Sequence, residues 1–156
     1  MQMDGNCFFR AISSAIDETQ ENHLQWRQRI CQEMKDHPHR LVQYTDQDVS
    51  LEQHVVQMKK PGKWADTVVM YAAAQLLKKD LYVLSPQPNA ESDGSKYRWL
   101  KVPTLSAFGG GDKSYITICH THGNHFDLIT PSDHEVELPP PSFGAAAQMN
   151  EKPIEV

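Results

Sequence analysis

Apolar positions recur at helical spacing in the first half of the chain and alternate in the second. Phe8, Ala11, Ile12, Ala15 and Ile16 form one stripe, preceded by the turn and cap formers Asp4, Gly5 and Asn6, so a helix is expected to begin at or next to Cys7. A second helix is expected over about residues 22–37, with Trp26, Ile30 and Met34 on its apolar face and Pro38 closing it. A third, over about residues 48–60, carries Leu51, Val55 and Met58 and stops at Pro61-Gly62. The fourth, over about residues 65–79, has the broadest face: Val69, Ala72, Ala73, Leu76 and Leu77, with small residues suited to close packing. This helix is expected to be central. Four strand-like segments follow, at 81–85, 97–102, 115–120 and 125–130. The short THGN segment between the last two predicts an antiparallel hairpin, and the loops at 86–96 and 104–114 read as exposed. The expected fold class is therefore α/β (α+β), with helices packed on a small, mostly antiparallel sheet.

At 156 residues the chain fits one domain; residues 1–131 read as that domain and residues 132–156, with their PPP and AAA runs, as a disordered tail. A hydrophobic share of 39% is enough for a real core, and no internal repeat is visible. The formal charge of -5 lacks the basic excess that would neutralise many phosphates, which argues against nucleic acid as the main partner. No apolar run approaches the roughly 18 residues of a membrane span; the best, residues 68–74, ends at Gln75. The opening MQMDGN has neither the basic start nor the apolar block of a secretory signal. Cys7, Cys31 and Cys119 are too few and too odd in number for a disulfide framework, so free thiols in a reducing compartment, cytoplasmic or nuclear, are expected.

Cys7 stands apart from the other two cysteines. A thiol at a helix N-terminus faces unpaired backbone N–H groups and the positive end of the helix dipole, so its pKa is expected to fall toward neutrality or below. The preceding Asp-Gly-Asn turn is expected to leave backbone donors free for an oxyanion. Cys31, mid-helix, and Cys119, mid-strand, read as structural. A thiolate needs a base, and the base an orienting group. HTHGNHFDLIT supplies both: if His125 opens the last strand, Asp127 shares its face by the two-residue period and can hold one ring nitrogen while the other faces a thiol. His23, His37, His39, His54 and His134 read as surface or packing residues.

DGNCFFRA at 4–11, PGKWADTVVMYAAAQLL at 61–77 and GNHFDLI at 123–129 resemble, in the same order, the ovarian-tumour (OTU) family of cysteine proteases. The resemblance covers roughly the first 130 residues. It implies a papain-like cysteine-protease fold, hydrolysis of isopeptide or peptide bonds after the C-terminal glycine of ubiquitin, ubiquitin and polyubiquitin chains as partners, a monomeric catalytic domain, and no metal or organic cofactor. Carried over by position, it implies Cys7 as nucleophile, His125 as general base, Asp127 as its orienting residue, and Asp4 as the aspartate that shapes an oxyanion loop running through Gly5 and Asn6. Asn124 and Phe126 would line a narrow channel for a Gly-Gly tail, Trp64 would be an aromatic plug and Asp66 a helix cap.

Two rival readings remain at this level. His120, His122 and His125 resemble the HxHxDH signature of metallo-β-lactamase-fold hydrolases, but Asn124 replaces the acid and only His134 follows as a further histidine ligand. A catalytically silent ubiquitin-binding or scaffold module would keep the fold without turnover, although binding alone has no need of Cys7, His125 and Asp127 together. GGGDKS at 109–114 fails as a phosphate loop, because Asp112 precedes the lysine and a strand follows where a helix would be needed.

Overall fold

The computed structural model describes residues 4–42, 45, 49–86, 97–104, 115–121, 125–129 and 147–148. Helix α1 (Cys7–Asp17) buries Phe8, Phe9, Ala11 and Ile12 and ends where Glu18 turns into the left-handed region. Helix α2 (His23–Asp36) buries Trp26, Ile30, Cys31 and Met34, and a short 3-10 turn at Pro38–Arg40 follows it. Helix α3 (Leu51–Met58) starts three residues later than the apolar pattern suggests, because Ser50 and Gln53 form a reciprocal capping box that fixes the start. Helix α4 (Thr67–Leu77) is capped by Asp66, which accepts from the Val69 N–H at 3.2 Å. Every residue from Val68 to Gln75 is buried, which makes α4 the central helix, packed chiefly against α2.

The strands are β1 (Asp80–Pro86), β2 (Tyr97–Val102), β3 (Tyr115–Thr121), β4 (His125–Leu128) and β5 (Ala147–Gln148), in the sheet order β4-β3-β1-β2-β5. The sheet is mixed. β1 pairs antiparallel with β2 and parallel with β3, and β3 pairs antiparallel with β4, as the short THGN connection suggests. Leu81 pairs with Val102 and Asp80 with Tyr115, so β2 ends and β3 starts at the same end of β1. β3 therefore enters the sheet parallel to β1 from the end at which β2 leaves it. Strand alternation names faces and not neighbours, which is why this pairing was invisible in the sequence. β5 lies within the segment read as a tail and pairs parallel with β2 at Leu100 and Lys101. The rest of that segment, with Asn124, His122 and most of the two long loops, lies outside the described residues.

The core fills the space between the helices and β1, where Leu81 and Val83 are fully buried. At roughly 1.5–3 kcal/mol per buried large apolar side chain, this interface supplies the main driving force for folding. Phe8 of α1 meets Phe126 of β4 edge to face, with ring centroids 5.6 Å apart. The start of the first helix is thereby fastened to β4.

Candidate active site

Cys7 opens α1 with 1% exposure, and its Sγ accepts a hydrogen bond at 3.3 Å from the backbone N–H of Phe126, 119 positions along the chain. The beginning of β4 is therefore against the thiol. His125, immediately before Phe126, is 5% exposed, and its Nε2 lies 3.0 Å from Asp127 Oδ2. With the hydrogen on Nε2, the carboxylate accepts and Nδ1 is left as an acceptor. Nδ1 is buried and has no hydrogen-bond partner among the described residues. A ring held through one nitrogen, with the other buried and one residue along the chain from the amide that meets Cys7, is equipped to take a proton.

The alternation that brings His125 and Asp127 together turns Phe126 the other way. Its ring stacks on His120 at 4.6 Å, packs on Phe8 and is only 2% exposed. Phe126 was expected along a substrate channel; its side chain is instead a core element, and its backbone N–H is what reaches the site. Asn124, expected beside it, is not among the described residues.

The turn before Cys7 is held by side chains on all sides. Asp4 accepts from Arg10 Nη2 at 2.7 Å and Nε at 3.3 Å, and from the Asn6 N–H at 3.2 Å and Nδ2 at 3.3 Å. The Arg10 hydrogen bond, with those from Asn6, outweighs burial and brings the Asp4 carboxyl down to about 2. Asn6 occupies the helix-cap position without capping by its side chain. Its Oδ1 accepts instead from Gly62 N–H at 2.8 Å and Arg27 Nη2 at 2.9 Å. Gly5 lies so close to Gly62 that a Cβ on it would fall 1.5 Å from the Gly62 carbonyl oxygen, an approach only glycine allows. Asp66, besides capping α4, lies 2.9 Å from His54 Nε2, and Trp64 is half-buried against the core.

Two expectations about this turn are corrected. The Asn6 N–H is taken by Asp4 Oδ1 and the Cys7 N–H by the Asp4 carbonyl oxygen at 3.2 Å, so neither stands free for an oxyanion. The turn that delivers the cysteine closes on its own donors. The Cys7 thiol, expected to be lowered, is raised above its ordinary value. Burial is the largest cause, and it exceeds the help of the Phe126, Phe8 and Cys7 backbone amides, while the nearby Asp4 charge pushes the same way as burial.

Arg27, Arg10 and Gly62 were not singled out in the sequence. Arg27 was the most findable, since it falls on the α2 face shared by Ile30, Cys31 and Met34, a charge inside an apolar stripe. A groove of about 360 Å³ between α2 and α3, lined by Met34, Pro38, Leu51, Val55, Val56 and Lys59 among others, contains none of the residues of this site. Of the histidines in the metal reading, His122 lies outside the described residues, and among the described residues no three His, Cys, Asp or Glu side chains are grouped to hold a metal ion.

A family model described as OTU-like cysteine protease matches residues 2–126, a span that holds Asp4, Cys7 and His125 and ends one residue before Asp127. This chain belongs to the OTU-like cysteine protease family. It is 27% identical over 138 residues to mouse OTU domain-containing protein 3, covering 87% of this chain and 31% of the relative. It is 32% identical over 82 residues to the Arabidopsis thaliana ovarian tumor domain-containing deubiquitinating enzyme 10, covering 53% of this chain and 22% of the relative. The chain thus spans less than a third of either relative. Among solved structures, the Hazara virus OTU bound to ubiquitin superposes with a TM-score of 0.59 at 10% identity, covering 84% of this chain and 80% of that one. The two share the papain-like α/β fold.

Proposed function

We propose that this OTU domain is a thiol isopeptidase that hydrolyses the bond after the C-terminal glycine of ubiquitin. The reading is supported by one observation: the Phe126 N–H meets Cys7 Sγ at 3.3 Å, and the residue before it, His125, has its Nε2 on Asp127. The name of the Arabidopsis relative and the ubiquitin on the Hazara virus domain support the choice of substrate.

His125 Nδ1 takes the thiol proton as the Cys7 sulfur attacks the glycine carbonyl. Negative charge then grows on the carbonyl oxygen. The Asn6 and Cys7 N–H groups exchange Asp4 for that oxygen, and Asp4 stays anchored by Arg10 while it releases them. The protonated His125 returns its proton to the departing lysine amine, leaving a thioester on Cys7. Water that gives a proton to the same histidine attacks the thioester and releases ubiquitin. A slot narrow enough to admit only glycine backbone would reject tails bearing side chains. The domain works as a monomer, without cofactor, where thiols stay reduced in cytoplasm or nucleus.

The test is incubation with diubiquitin of every linkage beside a Cys7→Ala control. Cleavage of at least one linkage by the unaltered chain and of none by the control is expected. Cleavage by Cys7→Ala, or none by either, removes the proposal.

A further inference from the structure

Arg27 is 1% exposed in the middle of the fold, and among the described residues every hydrogen-bond acceptor it has is uncharged. Nη1 donates to the Met58 carbonyl at 2.8 Å. Nη2 faces the Gly5 carbonyl at 3.0 Å, Asn6 Oδ1 at 2.9 Å and the Lys63 carbonyl at 3.0 Å. The guanidinium also lies over the Phe9 ring, its Cζ 4.0 Å from the centroid. A buried cation whose hydrogen bonds go only to neutral oxygens is an expensive way to fill space, and an apolar residue of similar volume would do so better. Its position suggests a task other than packing. The acceptors fall in two groups, one on the turn that delivers Cys7 (Gly5, Asn6) and one on the segment before α4 (Met58, Lys63). Those are the two stretches of backbone that meet at the Gly5–Gly62 approach.

Building on the isopeptidase reading, we infer that Arg27 is a positioning residue for the nucleophile turn: its buried fork fixes the plane of the Gly5–Asn6 peptide and so aims the donors that precede Cys7. In a trans peptide the C=O and N–H point in opposite directions. Holding the Gly5 oxygen on Nη2 directs the Asn6 N–H away from Arg27, to the side where it now meets Asp4 Oδ1. Asn6 Oδ1 is shared between Arg27 and the Gly62 N–H, which fixes the same residue from its side chain. While the N–H exchanges Asp4 for an oxyanion, the opposite end of the peptide stays clamped, so the donor changes partner without losing its direction. A lysine keeps the charge, but its compact ammonium cannot span a fork of four acceptors.

The test compares Arg27→Lys and Arg27→Met in the full chain with Arg29→Met as control, Arg29 being an exposed neighbour on the same helix that lies over Trp26. The readouts are kcat and KM on a ubiquitin C-terminal fluorogenic amide, and native-state hydrogen exchange at Asn6, Cys7 and Gly62. Arg27→Lys is expected to lower kcat about 30-fold or more with KM within about twofold, since a misaimed donor weakens the transition state and not tail binding. Exchange at the three amides is expected to quicken about tenfold or more while β1 amides stay unchanged. Arg29→Met leaves both readouts unaltered. If Arg27→Met fails to fold, Arg27→Lys decides alone. Retained kcat with unchanged exchange in Arg27→Lys overturns the inference, as does a uniform rise in exchange through β1, which would make Arg27 a general stabiliser. If the unaltered chain cleaves no ubiquitin substrate, the isopeptidase reading fails, while local quickening at Asn6, Cys7 and Gly62 still upholds the clamp.

Discussion

The Cys7 side and the His125 side of the candidate site are built with different kinds of support. Cys7 begins an 11-residue helix rooted in Phe8, Phe9 and Ile12, and the turn before it is held by Arg10, Arg27 and the Gly62 backbone. His125 begins a four-residue strand on the sheet edge, secured by β3, by Asp127 and by the neighbouring Phe126 ring. One half is tied by several side chains and a second backbone segment, the other by one strand pair and the packing of β4 on α1. Damage to the first half should therefore cost stability as well as activity, whereas damage to the second should cost activity with little unfolding.

The largest effect that sharpens this contrast is expected from His125→Ala. Turnover should fall about 10³-fold or more while Tm moves by less than about 5 °C, as for losing roughly 1 kcal/mol of packing. A collapse of Tm on this side would break the comparison. Gly5→Ala probes the opposite half: with a Cβ 1.5 Å from the Gly62 oxygen, one of the two backbones must move. A loss of about 3 kcal/mol in denaturant unfolding is expected, together with loss of activity. Asp127→Asn should be milder, about tenfold in kcat with an unchanged melt, because an amide oxygen can still accept from the imidazole. Full activity there would shift the orienting role away from Asp127.

The smallest effects concern pH, and they differ in sign across the turn. A raised Cys7 value means that the fold favours the neutral thiol, a preference present below the ordinary thiol pKa and lost as pH rises through the raised one. Iodoacetamide alkylation of Cys7 should therefore climb steadily from pH 6 to about 8.5, and a plateau near neutrality would show a preformed thiolate instead. Asp4 runs the other way. Lowered to about 2, it contributes stability above the ordinary carboxylate range that is lost as pH falls toward about 2. Its side chain is 36% exposed, so solvent screening limits the contribution to under about 1 kcal/mol. Acid unfolding of Asp4→Asn checks that size.

What was readable in the sequence was local. The start of α1 at Cys7 follows from three turn formers before an apolar stripe, and the shared face of His125 and Asp127 follows from their two-residue spacing. The family resemblance marked the same residues from outside that local logic. Features that depend on what lies across space were not readable. The parallel β1–β3 pair depends on which strands become neighbours, and the raised thiol depends on burial that no local pattern reports. The occupied Asn6 and Cys7 donors depend on the turn closing on Asp4. Arg27 was visible as a charge in an apolar stripe, but its meaning lies in backbone carbonyls up to 36 positions away.

The central claim is that Cys7, activated by His125, is the atom that captures the ubiquitin tail. Its most direct measurement is the intact mass of the chain, with peptide mapping, after exposure to ubiquitin carrying a C-terminal electrophile. The account predicts a single adduct on Cys7 that forms far more slowly in His125→Ala. An adduct on Cys31 or Cys119, or equal labelling with and without His125, would contradict it.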